Sequence, residues 1–175
     1  METERVELYL IRHGHCELSG TMLGQRDVSL TAEGKAQVES LARHLKQIEL
    51  IVSSDLARAR GTADILSRRT GAPVVFDARL REISYGAWDG LSWTEIETLD
   101  PEGAKRKLEN WRASAPSGGE RFEEFEARVT GARGSLFERT ERVIAVVAHL
   151  GVNAVLSGLP GLTQEYATAI EITPP

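Results

Sequence analysis

The stretch "RVIAVVA", residues 142–148, is apolar at every position after Arg142. Unbroken apolar runs of this length are typical of strands that helices cover on both faces of a parallel sheet. His149 follows the run directly. Because ligands of such sheets bind beyond the carboxyl ends of the strands, His149 is a candidate functional residue.

The rest of the chain alternates between strand and helix patterns. The predicted strands are 6–11, 49–54, 73–76, 142–148 and 167–173, and the predicted helices are 30–47, 56–69, 93–99, 103–113, 121–140 and 152–158. Thr31 is the expected N-cap of the first helix. Strands that alternate with helices predict βαβ units. We therefore expect one domain over residues 1–175, an α/β protein built as a three-layer α/β/α sandwich with a mostly parallel central sheet.

Composition narrows the function. The chain is 41% hydrophobic and 27% charged with a net charge of −5, so general attraction to nucleic acid is unfavourable. Cys16 is the single cysteine, which excludes an intrachain disulfide and fits a reducing compartment. The sequence shows neither a signal peptide nor an apolar run of the roughly 20 residues that a membrane span needs. We expect a cytoplasmic protein without nucleic-acid or membrane partners.

A second stretch, "LYLIRHGHC" at 8–16, places Arg12 and His13 directly after the first predicted strand. Arg58, Glu82 and His149 fall at other strand ends or in nearby loops. Arginine binds phosphoryl oxygens in pairs, neutral imidazole attacks phosphorus, and a protonated carboxyl supplies a leaving oxygen with its proton. Each residue alone is explained as an ordinary surface or core residue. Their combination predicts a pocket for phosphoryl transfer in which cationic side chains replace a metal.

Six segments of the chain, in this order, resemble those of the histidine phosphatase superfamily, the phosphoglycerate mutase-like enzymes. The segments are "LIRHG", "LGQRDVSLTAEGKAQ", "SSDLARARGTA", "LREISYGAWDG", "PSGGE" and "VVAHLGV". The resemblance covers nearly the whole chain. It implies the family's three-layer sandwich, in agreement with the alternation of strands and helices.

The resemblance also implies a role for each candidate residue. His13 would be the nucleophile that becomes phosphorylated, and Arg12, Arg58 and His149 would hold the phosphoryl group. Glu82 would be the general acid and later the base that activates water. The implied substrate is a small phosphomonoester, with α-ribazole 5′-phosphate as one candidate, and neither a metal nor another cofactor takes part. We expect a monomer or a homodimer.

Three positions depart from the family pattern. His15 stands where the family has the glutamate of "RHGE", and Leu150 stands where "HGG" has its first glycine. A left-handed backbone at residue 150 would cost on the order of 1–2 kcal/mol with leucine there. Ser19 is the nearest counterpart of an asparagine that the family carries after "RHGE". Ser19 and Leu150 are therefore included among the candidate phosphate contacts.

Three other residues, two of them in these segments, are given structural roles. Trp88 in "GAWDG" is expected to be a core aromatic residue. Glu120 in "PSGGE" is expected to cap the helix that follows it rather than to reach the site. Cys16 is expected to be a small, semi-apolar core residue.

Two alternatives lie within the same family. A phosphoglycerate mutase must shield its phosphohistidine from water. Only a short connection runs from Glu82 to "PSGGE" here, so hydrolysis is favoured over the mutase reaction. A non-catalytic protein that binds a phosphorylated ligand is the second alternative, and His15 and Leu150 are the features that permit it. The presence of both His13 and Glu82 favours catalysis, since binding alone requires no proton donor.

Two further alternatives involve other chemistry. His13, His15 and His149 could supply three metal ligands, although the chain is short for the barrel enzymes that use such a set. A cysteine phosphatase requires an arginine six positions after its nucleophile. Met22 occupies that position relative to Cys16, so the sequence argues against this mechanism.

Overall fold

The computed structural model describes residues 6–45 and 47–173 of the 175-residue chain. The strands in this part of the chain are β1 (Glu7–Arg12), β2 (Leu50–Ser53), β3 (Val74–Phe76), β4 (Val143–Ala148) and β5 (Ala169–Ile172). The α-helices are α1 (Ala32–Ala42), α2 (Ala57–Thr70), α3 (Trp93–Leu99), α4 (Pro101–Glu109), α5 (Phe122–Phe137) and α6 (Leu150–Ser157). Residues 78–80 and 86–88 form short 3₁₀ turns.

The five strands form one sheet in the order β3-β2-β4-β1-β5. The first four are parallel to their neighbours, and β5 runs antiparallel to β1 at the edge. A mostly parallel central sheet is thus confirmed.

Side chains of β4 show why the sheet requires a helical layer on each face. Ile144 and Val146 face one layer while Ala145 and Val147 face the other, and all four are fully buried. The first pair packs with residues of α5 and α6, namely Phe125, Val129, Ala132, Leu136, Val152 and Leu156. The second pair packs with residues of α1 and α2, namely Val38, Ala42, Ala59, Ala63 and Leu66. This arrangement confirms the three-layer sandwich.

Helix boundaries differ from the predicted ones where local capping decides them. The Thr31 hydroxyl accepts from the Gly34 N–H at 3.1 Å, which confirms the predicted cap of α1. That helix ends at Ala42 rather than continuing to residue 47. The Asp100 side chain caps α4, so this helix begins at Pro101, two residues before the prediction. Lys46, residues 1–5 and residues 174–175 of the predicted domain lie outside the described residues.

Trp88 is buried beside Ile96 and Ala104 under α3 and α4, which confirms that it is a core residue. Cys16 is also buried in the core beside α1 and α2, as expected. Over the described ranges, no helix is both long enough and apolar enough to cross a bilayer.

Candidate active site

Strand register places the two candidate histidines next to each other. Arg12 at the end of β1 is the partner of Ala148 at the end of β4, and the His13 N–H donates to the Ala148 carbonyl at 3.1 Å. The residues that follow, His13 and His149, therefore leave neighbouring parallel strands at the same edge. Their ring centroids lie 5.2 Å apart.

The His13 imidazole is held in its neutral form, with one ring nitrogen free. Its Nδ1 lies 2.8 Å from the Gly14 carbonyl oxygen. A carbonyl only accepts, so Nδ1 carries the proton and Nε2 carries the free lone pair. Burial, together with the nearby Arg58 guanidinium, lowers the pKa of His13 to about 3. At neutral pH this ring is uncharged and competent to attack phosphorus.

His149 is buried on the β2 side of His13. Its Nε2 lies 2.9 Å from the hydroxyl of Ser54, which follows β2. Its Nδ1 is buried and has no hydrogen-bond partner among the described residues. Burial and the Arg58 guanidinium hold the pKa of His149 well below its ordinary value.

The two arginines reach the same region from different elements. Arg58, in the first turn of α2, is 1% exposed and donates to the carbonyls of Gly24 at 2.6 Å and Arg26 at 2.9 Å. Arg12 donates to the Gln164 carbonyl at 2.6 Å, and its guanidinium lies 3.9 Å from the centre of the Tyr166 ring. These contacts fix both cations at the carboxyl edge of the sheet.

The Glu82 carboxyl is buried between its own loop and the start of α6. It accepts from the N–H groups of Ile83 and Gly151, each at 3.0 Å. Burial raises its pKa, although these two N–H groups and Arg58 act in the opposite direction. A Cβ at residue 151 would lie 2.5 Å from the Glu82 carboxyl, so glycine permits the approach of α6.

The loop that carries Glu82 is anchored by a charged pair. Arg128 of α5 donates to the Glu82 carbonyl at 3.1 Å and pairs with Glu120 at 2.6 Å. Glu120 also accepts from the Ser84 N–H at 3.2 Å. The prediction that Glu120 caps α5 is wrong, because its carboxylate is directed to Arg128 and to this loop. The sequence carried no signal for Arg128, since an arginine on an exposed helix pattern is usually solvated.

All five candidates line one cavity of about 150 Å³, which is referred to below as the catalytic cavity. Five buried side-chain nitrogen or oxygen atoms lack a hydrogen-bond partner among the described residues. Three of these five belong to the cavity: Nε of Arg12, Nε of Arg58 and Nδ1 of His149. Buried donors without a partner are unfavourable by about 1–3 kcal/mol each. A tetrahedral oxyanion in the cavity would supply acceptors to the guanidinium groups of Arg12 and Arg58 that line it.

Ser19 and Leu150 also line the cavity. The hydrogen bond of Ser19 and the backbone conformation of Leu150 differ from the expected ones. The Ser19 hydroxyl donates to the Cys16 carbonyl at 2.6 Å, so it must leave that bond to donate to a ligand. Leu150 is the first residue of α6 and is not among the described residues with positive φ. The conformational cost considered for a left-handed residue 150 therefore does not arise.

Two aromatic residues at the cavity were missed by the sequence analysis. Tyr166 contacts Arg12 and also lies with its ring centre 5.6 Å from that of His13 and 5.4 Å from that of His15. Tyr85 lines the cavity beside Glu82. Tyr85 belongs to a matched segment and could have been considered, whereas Tyr166 precedes β5 without any motif.

The structure also bears on the two alternatives with other chemistry, the metal site and the cysteine nucleophile. In the described ranges, no three side chains of His, Cys, Asp or Glu form a cluster that could hold a metal ion. Cys16 lines the catalytic cavity, and burial raises the pKa of its thiol. A raised pKa favours the thiol over the thiolate that a cysteine nucleophile requires.

The fold and this cavity define an α/β protein with a neutral histidine, a buried carboxyl and two guanidinium groups around an anion-sized space. Comparison with known families gives a more specific result. The model of the histidine phosphatase superfamily, branch 1, matches residues 8–174. The chain belongs to this family.

This chain is similar to proteins that are named as a mutase and to others that are named as phosphatases. The chain is 30% identical over 171 residues to a protein of Escherichia coli named "Probable phosphoglycerate mutase GpmB", covering 90% of this chain and 76% of the relative. The crystal structure of the alpha-ribazole phosphatase from Shigella flexneri is similar with a TM-score of 0.81 and 29% identity, covering 90% of this chain and 81% of that one. The mycobacterial glucosyl-3-phosphoglycerate phosphatase in complex with VO₃ has a TM-score of 0.81 and 34% identity, with coverages of 95% and 92%.

Proposed function

We propose that this protein hydrolyses a small phosphomonoester through a phosphohistidine formed on His13, without a metal or another cofactor. One observation carries the proposal: Arg12, Arg58 and His149, each with a buried side-chain nitrogen that lacks a partner, line a cavity that also holds a neutral imidazole and a buried carboxyl. Neutral nucleophile, proton donor and oxyanion donors are the groups that phosphoryl transfer needs.

In the first half-reaction, Nε2 of His13 attacks the phosphorus and forms a P–N bond. The ester P–O bond breaks, and its electron pair goes to the leaving oxygen. The Glu82 carboxyl gives its proton to that oxygen, so the alcohol leaves neutral. The raised pKa of Glu82 supports this role, because burial favours the protonated form.

In the second half-reaction, a water molecule attacks the phosphorus of phosphohistidine. The Glu82 carboxylate takes one proton of this water, and the P–N bond breaks with its electron pair returning to Nε2 of His13. Orthophosphate leaves, and both side chains regain their starting protonation. The net reaction is phosphomonoester plus water to alcohol plus phosphate.

Throughout both steps, Arg12, Arg58 and His149 hold the phosphoryl oxygens. Guanidinium groups match pairs of these oxygens, and a buried site strengthens each contact because water screens it little. Ser19 adds a donor if its hydroxyl turns from the Cys16 carbonyl. Leu150, the first residue of α6, lines the cavity that holds the phosphoryl group.

Hydrolysis rather than transfer to a second substrate is favoured by the short connection after Glu82, and two of the similar structures are named phosphatases. A narrower proposal is α-ribazole 5′-phosphate as the substrate, which the similarity to the Shigella flexneri structure supports. Phosphoglycerate mutase activity is the competing proposal, and the name of the Escherichia coli relative supports it.

The deciding experiment incubates the protein with p-nitrophenyl phosphate, α-ribazole 5′-phosphate, glucosyl-3-phosphoglycerate and 3-phosphoglycerate in excess EDTA. We expect phosphate release that EDTA does not reduce, and a phosphohistidine that mass spectrometry locates at His13 after rapid quenching. His13→Ala should abolish both signals. His44→Ala, which alters an exposed histidine outside the cavity, is the matched control.

Isomerisation of 3-phosphoglycerate faster than its hydrolysis would establish the mutase instead. Ligand binding without turnover of any ester would establish the non-catalytic alternative. Full activity of His13→Ala would disprove the assignment of the nucleophile.

A further inference from the structure

A second hollow adjoins the catalytic cavity. It has a volume of about 650 Å³ and lies between α5, α6 and the loop at 158–162, and we refer to it as the apolar groove. Glu82, Tyr85 and Leu150 line both hollows. The groove and the catalytic cavity thus share a wall that includes Glu82, the residue that is proposed to protonate the leaving oxygen.

The walls of the groove are carbon-rich. Phe122 and Phe125 come from α5, and Ala154 and Val155 come from α6. Trp111 lies at the outer end and is 45% exposed although it is a large apolar residue. Exposed apolar surface of this kind, directly beside a reactive cavity, indicates a site for an apolar ligand.

Charged groups in the groove are confined to its rim. Arg112 is exposed, and its guanidinium lies 4.5 Å from the centre of the Phe122 ring. Glu126 is exposed as well. Glu82 is the buried charged residue among those that line the groove, and it belongs to the shared boundary. A leaving group with several hydroxyls would therefore find few partners on the inner walls.

The volumes of the catalytic cavity and the groove indicate where the phosphoryl group and the alcohol of a substrate would bind. The catalytic cavity is large enough for a phosphoryl group and too small for an attached alcohol of several carbons. The leaving oxygen must approach Glu82 to receive its proton, and the space beyond Glu82, Tyr85 and Leu150 is the groove. The groove therefore has both the room for the alcohol and a wall in common with the cavity at the proton donor.

We propose that the apolar groove binds the leaving group, and that the preferred substrates are phosphomonoesters whose alcohols carry an apolar portion rather than those of simple polyols. This inference rests on the proposed phosphatase activity and specifies its substrate class. Leu150 lies with Glu82 and Tyr85 in the wall that the two hollows share, between the phosphoryl group and the alcohol. The groove acts through affinity for the alcohol, while bond breaking stays with the catalytic cavity.

The test uses n-alkyl phosphates from ethyl to hexyl at concentrations below micelle formation. Their leaving oxygens have nearly the same basicity, so differences in kcat/KM report contacts of the chain rather than intrinsic reactivity. Burial of each methylene predicts roughly a threefold gain, and hexyl phosphate should exceed ethyl phosphate by about 50-fold or more. Propyl phosphate should also exceed glycerol 3-phosphate, which has the same number of carbons.

A substitution that fills the groove should reduce this preference. Ala154→Met places a longer side chain on the α6 wall and retains a residue suited to helices. We expect the ratio of kcat/KM for hexyl phosphate to kcat/KM for ethyl phosphate to fall by about tenfold relative to the native chain. Ala127→Met, on the exposed face of α5 and outside both hollows, is the matched control and should keep the native ratio.

Failure of this inference is distinguishable from failure of the proposed function. Hydrolysis of every alkyl phosphate at the same kcat/KM would overturn the groove assignment and leave the phosphatase intact. If no ester is hydrolysed, calorimetric titration with ethylphosphonate and hexylphosphonate still tests the groove. Equal affinity for the two phosphonates, or an unchanged difference in Ala154→Met, would overturn it, since the groove would then serve another occupant such as a second copy of this chain.

Discussion

The catalytic cavity and the apolar groove share a wall and differ in almost everything else. The cavity is small, and its polar groups come from strand ends, a loop and the first turn of α2, spread from Arg12 to His149. The groove is about four times larger and is formed mainly by two helix faces that pack on the same side of the sheet. The comparison indicates that reactivity and preference for the alcohol are carried by separate parts of the fold and can be changed separately.

Removal of a cavity cation should have a large effect on every substrate, of the same size for each. Arg58→Met should lower kcat/KM by at least about 100-fold for both ethyl and hexyl phosphate, because the phosphoryl group is common to them. Arg60→Met is the control, since Arg60 is exposed on the same helix and lies against Phe76 outside both hollows. Steady-state kinetics give the values, and circular dichroism checks the fold. A changed ratio of kcat/KM for hexyl and ethyl phosphate in Arg58→Met would contradict the separation of reactivity from preference for the alcohol.

The effect of a substitution at Glu82, in the wall that the cavity and the groove share, should depend on the leaving group of the substrate. Glu82→Gln removes the proton donor, so hydrolysis of ethyl phosphate should slow by roughly 100- to 10,000-fold. p-Nitrophenyl phosphate should slow by less than about tenfold, because its leaving oxygen needs little proton assistance. Equal losses with both esters would exclude Glu82 as the general acid.

The same residue predicts an alkaline limit of activity. Burial raises the pKa of Glu82, and above that pKa the carboxyl no longer holds a proton for the leaving oxygen. The kcat/KM for ethyl phosphate should therefore fall as pH rises. In Glu82→Gln this limb of the pH profile should disappear, and its persistence would assign the limb to another group.

Folding stability should depend on pH through His13. The pKa of His13 is about 3 in the folded chain, whereas an ordinary histidine has a pKa near 6.5. Between these values the unfolded chain binds a proton that the folded chain does not, so stability is highest above about pH 6.5 and falls as pH drops toward 3. The contribution of His13 is at most about 1.4 kcal/mol per pH unit.

Urea unfolding at pH 7, 6 and 5 checks this dependence. His13→Asn should lose less stability than the native chain over this range. Glu82 and His149 are present in both proteins, so the difference between the two series reports His13. Parallel series would show that burial does not perturb this ring as the structure indicates.

The smallest effect is expected on the scaffold behind the groove. Gly131 lies on the exposed face of α5, and an added Cβ meets no atom within 4 Å. Gly131→Ala should raise the free energy of unfolding by about 0.5–1 kcal/mol because alanine restricts the unfolded chain, and the ratio of hexyl to ethyl phosphate should not change. Gly151→Ala is the contrasting variant, since its Cβ would collide with the Glu82 carboxyl and lower activity.

Much of the fold was predictable because its signals are local. The apolar run that became β4 has no polar position to place toward water, so it requires cover on both faces. Thr31 capped α1 as predicted, since a cap depends on residues three positions apart. The partners of Glu120 were mispredicted, because one of them, the Ser84 N–H, lies 36 residues away in the chain.

The sequence by itself determined the strand order along the chain, the family and the five polar residues that follow strands or lie in loops nearby. These properties reside in short segments and in periodic burial, which can be read without coordinates. Only the tertiary structure decided that β1 and β4 are neighbours in register, so that His13 and His149 meet, and that the Gly14 carbonyl selects the tautomer of His13. It also revealed Tyr166 beneath Arg12 and the groove beyond Glu82. The physical reason is that burial, shifted pKa values and shared cavities arise from packing between segments more than a hundred residues apart, which no local pattern records.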